Sequence, residues 1–180
     1  RWWQFRDSQP GTMATIGAIP RYIVCSRVTK RPIFEFVSQA VHPDMALMVF
    51  GFADDYSFGV LSSSIHFAWF KAQCSTLKGD FRYTSDTVYD TFPWPQAPTR
   101  MHIAAVAKAA VELRTLRRDI MAKLQYSLRE LYRTLDEPGA NPLRTAQIQL
   151  DAAVSDAYGM PPEIDPLAFL LALNQKLAAK

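Results

Sequence analysis

Apolar positions change rhythm along this chain near residue 99. Before that point, short runs of β-branched and aromatic residues closed by Pro or Asp predict strands over Arg21 to Ser26, Ile33 to Val37 and Met45 to Phe52. Alternation within the runs is poor, which fits buried or irregular strands better than a sheet with one wet face. From Ser57 to Gln73 the positions Leu61, Ile65, Ala68, Trp69 and Ala72 recur at helical spacing, predicting one amphipathic helix. Thr76 to Arg82 reads as a loop, and Tyr83 to Phe92 as a terminal strand or turn.

Past residue 99 the composition turns to Ala, Leu and Arg, and the pattern becomes helical. Val106, Ala110, Leu113, Ile120, Leu124, Leu128, Leu131 and Leu135 share one arc of a single long helix. Arg114, Arg118, Arg129 and Arg133 share a neighbouring arc, while Arg117 falls inside the apolar one, implying a buried carboxylate partner or a ligand phosphate. Asn141-Pro142 and Asp165-Pro166 each read as an N-cap followed by proline at the first helical position, and Gly159 closes the helix between them. Three helices are therefore expected. The joint is Phe92-Pro93-Trp94-Pro95-Gln96-Ala97-Pro98, too rich in proline to continue a strand or a helix. Of 22 aromatic residues only Tyr126, Tyr132, Tyr158 and Phe169 lie beyond it, so the two parts differ in chemistry as well as in rhythm.

The 180 residues suit one large domain or two small ones, and 49% hydrophobic with 21% charged residues is ordinary for a globular protein. Twelve prolines against seven glycines make a glycine-rich phosphate cradle improbable. Cys25 and Cys74 stand far apart, which suggests neither a disulfide framework nor a zinc site and fits a reducing, cytoplasmic setting. No apolar run reaches the roughly 18 residues of a membrane span. The opening Arg1-Trp2-Trp3-Gln4-Phe5 reads as the start of a piece cut from a longer protein.

Catalytic signatures are missing from the chain. It contains no G-x-G turn, no G-x-S-x-G elbow and no lysine with an acid two positions before it. Its one Pro-Pro pair lies in Met160-Pro161-Pro162-Glu163, without the polar residue that grips a flipped base. His42, His66 and His102 lack metal-ligand spacing. Two basic clusters remain, Arg27-x-x-Lys30-Arg31 between strands and Lys78-Gly79-Asp80-Phe81-Arg82-Tyr83 after the helix. Lysine and arginine neutralise phosphates or reach guanine O6 and N7, and Asp accepts from cytosine N4, so Lys78 and Asp80 together can read a G·C pair. The plain alternative is a solvated loop with a weak surface ion pair. Ser62 and Ser63 can donate to phosphate or simply begin a helix, and the arginine stripe can be a phosphate grip or an exposed face.

Several strings also resemble a known family: Arg21-Tyr22-Ile23-Val24-Cys25-Ser26-Arg27-Val28-Thr29-Lys30, Asp54-Asp55-Tyr56-Ser57-Phe58-Gly59-Val60-Leu61-Ser62-Ser63, Asp80-Phe81-Arg82-Tyr83-Thr84 and Thr91-Phe92-Pro93-Trp94-Pro95. In this order and spacing they resemble the target-recognition region of large bacterial DNA methyltransferases, and more narrowly the MmeI-like Type IIL restriction-modification enzymes. Ala157-Tyr158-Gly159 and Leu170-Leu171-Ala172-Leu173-Asn174 resemble that group's helical C-terminus. The resemblance implies an α+β fold, with a mixed, mainly β target-recognition subdomain carrying an inserted helix over 1–98 and a C-terminal bundle of about three helices over 99–180.

The same resemblance implies double-stranded DNA as partner, together with an upstream methyltransferase domain of the same polypeptide. That domain would transfer methyl from S-adenosylmethionine to adenine N6, with Mg serving any cleavage. This chain itself is expected to hold no cofactor, no metal and no catalytic residue. In such enzymes the loop matching Lys78 to Arg82 contacts bases, so Lys78 and Asp80 are expected to read one G·C pair, with Arg82 next. Arg27, Lys30, Arg31, Ser62, Ser63, Arg114 and Arg118 are expected on the DNA backbone by residue type. The rival functions are a structural or protein-interaction module docking onto a partner subunit, and a small independent enzyme.

Overall fold

The computed structural model describes residues 10–77 and 79–179; Arg1 to Phe5 and Lys78 lie outside them. A short helix α1 (Pro10–Gly17) precedes a three-stranded antiparallel sheet of β1 (Arg21–Ser26), β2 (Glu35–Ser38) and β3 (Leu47–Phe50), in the order β2-β1-β3. Ile23 of the central strand faces Phe36 on one side and Phe50 on the other. Tyr22 to Cys25 are all buried because both faces of β1 are covered. Ile23 and Cys25 enter the main core, while Tyr22 and Val24 pack with Ile16 of α1. Alternation is weak for that reason: a strand covered on both faces has no wet side to keep polar.

The inserted helix is two helices, α2 (Asp55–Ser62) and α3 (Ser64–Gln73). Asp54 caps the first through the Ser57 amide at 2.7 Å, and Ser63 caps the second through the His66 amide at 3.2 Å. Each cap satisfies amides that a helix start leaves without partners, so a new axis begins at Ser63. Residues expected as a loop form a hairpin, β4 (Ser75–Leu77) with β5 (Asp80–Arg82), and a π-helical turn spans Ser85–Tyr89. The α+β architecture stands, but among the described residues the first part carries more helix than strand, since its strands are only three to six residues long.

Beyond the joint come α4 (Arg100–Leu124), α5 (Leu128–Arg133) followed by a 3-10 turn (Thr134–Asp136), α6 (Pro142–Tyr158) and α7 (Pro166–Ala178). Four helices thus replace the three expected. The long helix stops at Gln125, whose φ of 55° is left-handed, and Ser127 opens α5 with a reciprocal capping box to Glu130. Asn141 and Asp165 cap α6 and α7 as their sequence context predicts, and Gly159 (φ 63°) ends α6.

One hydrophobic cluster crosses the proline joint, joining Phe34, Phe50, Phe58 and Trp69 to Val106, Leu113, Leu150 and Leu170. The joint itself is packed: Phe92, Pro93 and Pro95 are buried, Tyr158 donates its hydroxyl to the Pro93 carbonyl at 2.9 Å, and Asn174 reaches the Thr91 carbonyl at 2.6 Å. Close approach of α2 to α4 and α6 depends on Gly59, where a methyl group would stand 2.6 Å from Val106 Cγ1 and 3.3 Å from Leu150 Cδ1. The helical part therefore fixes the position of the strands and loops in front of it.

Candidate nucleic-acid interface

The two basic clusters, about fifty positions apart in sequence, lie against each other. Leaving β1, the chain passes alongside β5: the Tyr83 amide donates to the Arg27 carbonyl at 2.7 Å, the Thr29 amide donates to the Phe81 carbonyl at 2.9 Å, and Val28 bridges to Arg82. Within the loop, the Thr29 hydroxyl donates to the Arg31 carbonyl at 2.8 Å and accepts from the Arg31 amide at 3.2 Å. Backbone bonds on two sides hold this ledge, so its side chains project from a defined frame.

Residues alternate across a strand, which places Asp80 and Arg82 on one face of β5 and Phe81 on the other. Phe81 turns to the core and meets the ring of Phe70 edge-on at 5.8 Å. Arg82 is exposed and Asp80 half-buried. Gly79, with φ of 87°, makes the turn beside Lys78, the remaining expected base-reading residue, which lies outside the described residues.

Asp80 lines a groove of about 980 Å³ whose walls include Lys30, Arg31, Arg129 and Arg133. Lys30 is exposed, and the Arg31 guanidinium stands 5.9 Å from the ring centres of both Phe67 and Tyr132, an amphipathic seat that leaves its charge at the groove. Arg27 is half-buried, with one nitrogen 3.5 Å from the Leu47 carbonyl. Cys25 also borders the groove, but burial pushes its thiol up to about 12, which makes it a poor nucleophile.

Three residues expected on the DNA backbone are enclosed or bonded away from the groove. Ser63 is 2% exposed, and its hydroxyl donates to the Val60 carbonyl at 2.7 Å while accepting from the His66 amide. The Ser62 hydroxyl is buried on the wall of an apolar cavity of about 150 Å³ behind Arg31. Arg114 turns inward onto Asp55, whose other oxygen accepts from Arg21 at 3.2 Å, and it stacks 4.8 Å from the ring of Phe36. Burial lowers the Arg114 pKa against the opposing pull of Asp55. Ser63 and Arg114 are enclosed and already bonded, and the Ser62 hydroxyl is enclosed without a bonding partner among the described residues, so phosphate roles fit none of the three. Arg118, one turn along, is exposed and only 3.9 Å from Asp119.

Arg117 resolves as the carboxylate alternative. It is 2% exposed, pairs with Glu35, donates to the Phe34 carbonyl at 2.9 Å and reaches the Tyr132 hydroxyl at 3.3 Å. The arginine stripe is thus split three ways: inward at Arg114, outward at Arg118, and carried to the groove at Arg129 and Arg133 on a separate helix. The signal for that split was Ser127-Leu128-Arg129-Glu130, a capping-box string inside the apparent long helix.

Residues 1–96 match the family model described as the MmeI target recognition domain. Over 108 residues the chain is 35% identical to DNA methyltransferase A of Bacillus subtilis (strain 168), covering 59% of this chain and 11% of that protein. It also resembles a solved structure of the Type IIL restriction-modification enzyme MmeI in complex with DNA, with a TM-score of 0.73 and 26% identity, over 89% of this chain and 22% of that one. The chain therefore spans only a small part of either relative's length.

Proposed function

Because the chain belongs to the MmeI target recognition domain family, we propose that it selects the DNA sequence on which a restriction-modification methyltransferase acts. The observation that carries this reading is the ledge formed by Arg27 to Arg31 and β5, where cations and the Asp80 carboxylate share one groove. A two-stranded ribbon fits the major groove of B-DNA, where Asp accepts from cytosine N4 and Lys or Arg donates to guanine O6 and N7. On this reading Lys78 and Asp80 take the two members of a G·C pair, and Arg82, on the same face of β5 as Asp80, takes a neighbouring base edge. Arg27, Lys30, Arg31 and Arg118 hold phosphates and set the register.

The remaining chemistry belongs to the polypeptide that carries this chain. It would be a cytoplasmic enzyme whose upstream domain methylates adenine N6 with S-adenosylmethionine, using Mg for any cleavage. Exchanging Lys78 and Asp80 together in that complete polypeptide, then mapping methylated sites on a genomic library, tests the assignment. The expected outcome is a new preference at one base pair of the target with methylation retained. An unchanged target sequence would overturn the role of this pair.

A further inference from the structure

We infer that α5 is a second DNA-backbone grip, in which Arg129 and Arg133 hold phosphates across the groove from Lys30 and Arg31. This rests on the DNA-reading function proposed above and extends it from the strand-and-loop half into the helical half.

Arg129 and Arg133 are four residues apart on one helix and so share a face. Both are exposed, and neither makes an ion pair within 4 Å among the described residues. Arg133 lies within electrostatic range of Glu130, but that carboxylate is held by the Ser127 amide at 2.7 Å and hydroxyl at 2.6 Å. Arg21, Arg114 and Arg117, in contrast, are bonded to Asp55 or Glu35 inside the fold. Of the acids on the groove wall, Glu35 is taken by Arg117, leaving Asp80 and Asp136 against four cations. The balance at the groove is positive, as a polyanion requires.

The helix that presents these arginines is anchored on three sides. Leu131 is 1% exposed in the core, and the Tyr132 hydroxyl accepts from Arg117. Arg144 donates to the carbonyls of Leu135, Glu137 and Gly139 at 2.7 to 2.9 Å, tying down the segment that follows. A six-residue helix held in this way is a platform for fixed cations, and its placement beside Lys30 and Arg31 needs no rearrangement.

The test is the salt dependence of binding a fluorescein-labelled DNA duplex of arbitrary sequence, read by anisotropy with the complete polypeptide. For Arg129→Gln with Arg133→Gln, the slope of log affinity against log salt should fall by about 2 and affinity by roughly tenfold at low salt, equally on all sequences. Arg129→Lys with Arg133→Lys should keep the slope, because each lysine still carries one charge to a phosphate. An unchanged slope in the Gln pair, while Lys30→Gln with Arg31→Gln lowers it, overturns the α5 grip and leaves DNA reading standing. A slope lost equally in the Lys pair makes the role structural and also overturns the grip. A parent protein without salt-dependent duplex binding removes both the grip and the function on which it rests.

Discussion

Tyr83 donates its backbone amide to the carbonyl of Arg27 at 2.7 Å, and through that bond the end of the hairpin and the start of the basic loop become one surface. Tyr83 is itself fully buried, stacked on Phe70 at 5.4 Å, so the surface is fastened to the core at its inner edge. Specific reading of bases needs side chains held to a fraction of an ångström, and a ledge bonded to a packed ring supplies that constraint.

Gly79 has φ of 87° with nothing within 4 Å of where a Cβ would stand, so strain there comes from the backbone alone. Gly79→Val should cost about 1–2 kcal/mol locally. Because the hairpin tip is exposed, the melting temperature should move little while discrimination at the base pair proposed for Lys78 and Asp80 weakens. Unaltered site preference with a normal melting curve would show that the turn does not position the readers.

Glu35 and Arg117 differ in exposure, with side chains at 46% and 2%. Removing Glu35 leaves a guanidinium buried without a counter-charge, whereas removing Arg117 leaves a carboxylate that water can reach. Glu35→Gln should therefore cost about 3 kcal/mol in urea unfolding and Arg117→Met about 1–2 kcal/mol, an order that equal solvation of the two groups would reverse or erase.

His66 is buried with Nε2 3.0 Å from the Tyr83 hydroxyl, and burial lowers its pKa from 6.5 to about 3. A base with a depressed folded pKa stays neutral while the unfolded chain takes up a proton, so its share of stability is lost as pH falls from about 6.5 towards about 3. His66→Gln, which can still bond Tyr83, should remove that component from stability measured by denaturant across the same range. An identical acid profile in the variant would assign the loss to other groups.

Asp151 accepts from the Ser64 amide at 2.8 Å and from Gln147 at 3.0 Å, and it fills the anion position at the start of α3. Burial nevertheless raises its pKa above 3.8. The folded state then binds the proton more tightly than the unfolded chain, so stability falls as pH rises from about 3.8 through the raised value. Relative to the parent, Asp151→Asn should gain stability over that rise and level off above it. A difference that is flat with pH would contradict this.

Much of the fold was legible in local chemistry. The β1 span and the caps at Asn141, Asp165 and Gly159 are each determined within a few residues, by side chains that satisfy nearby backbone groups or by a run of apolar residues. The α2–α3 break at Ser63 and the α4–α5 break near Gln125 were harder to see, because apolar periodicity continues through both. A hydrophobic arc reports which face is buried, not whether the axis is continuous.

The chemistry of the candidate site follows the same division. Residue types and family strings alone marked Lys78, Asp80, Arg82 and the Arg27 to Arg31 loop, because carboxylates and cations carry their recognition chemistry wherever they stand. Only the tertiary structure decided which cations are free to use it: Arg114 and Arg117 are consumed by Asp55 and Glu35, partners far away in sequence, while Arg129 and Arg133 are brought to the groove by a helix break. Charge is a property of the residue, but availability is a property of its neighbours, and those are set by packing between segments that sequence proximity does not join.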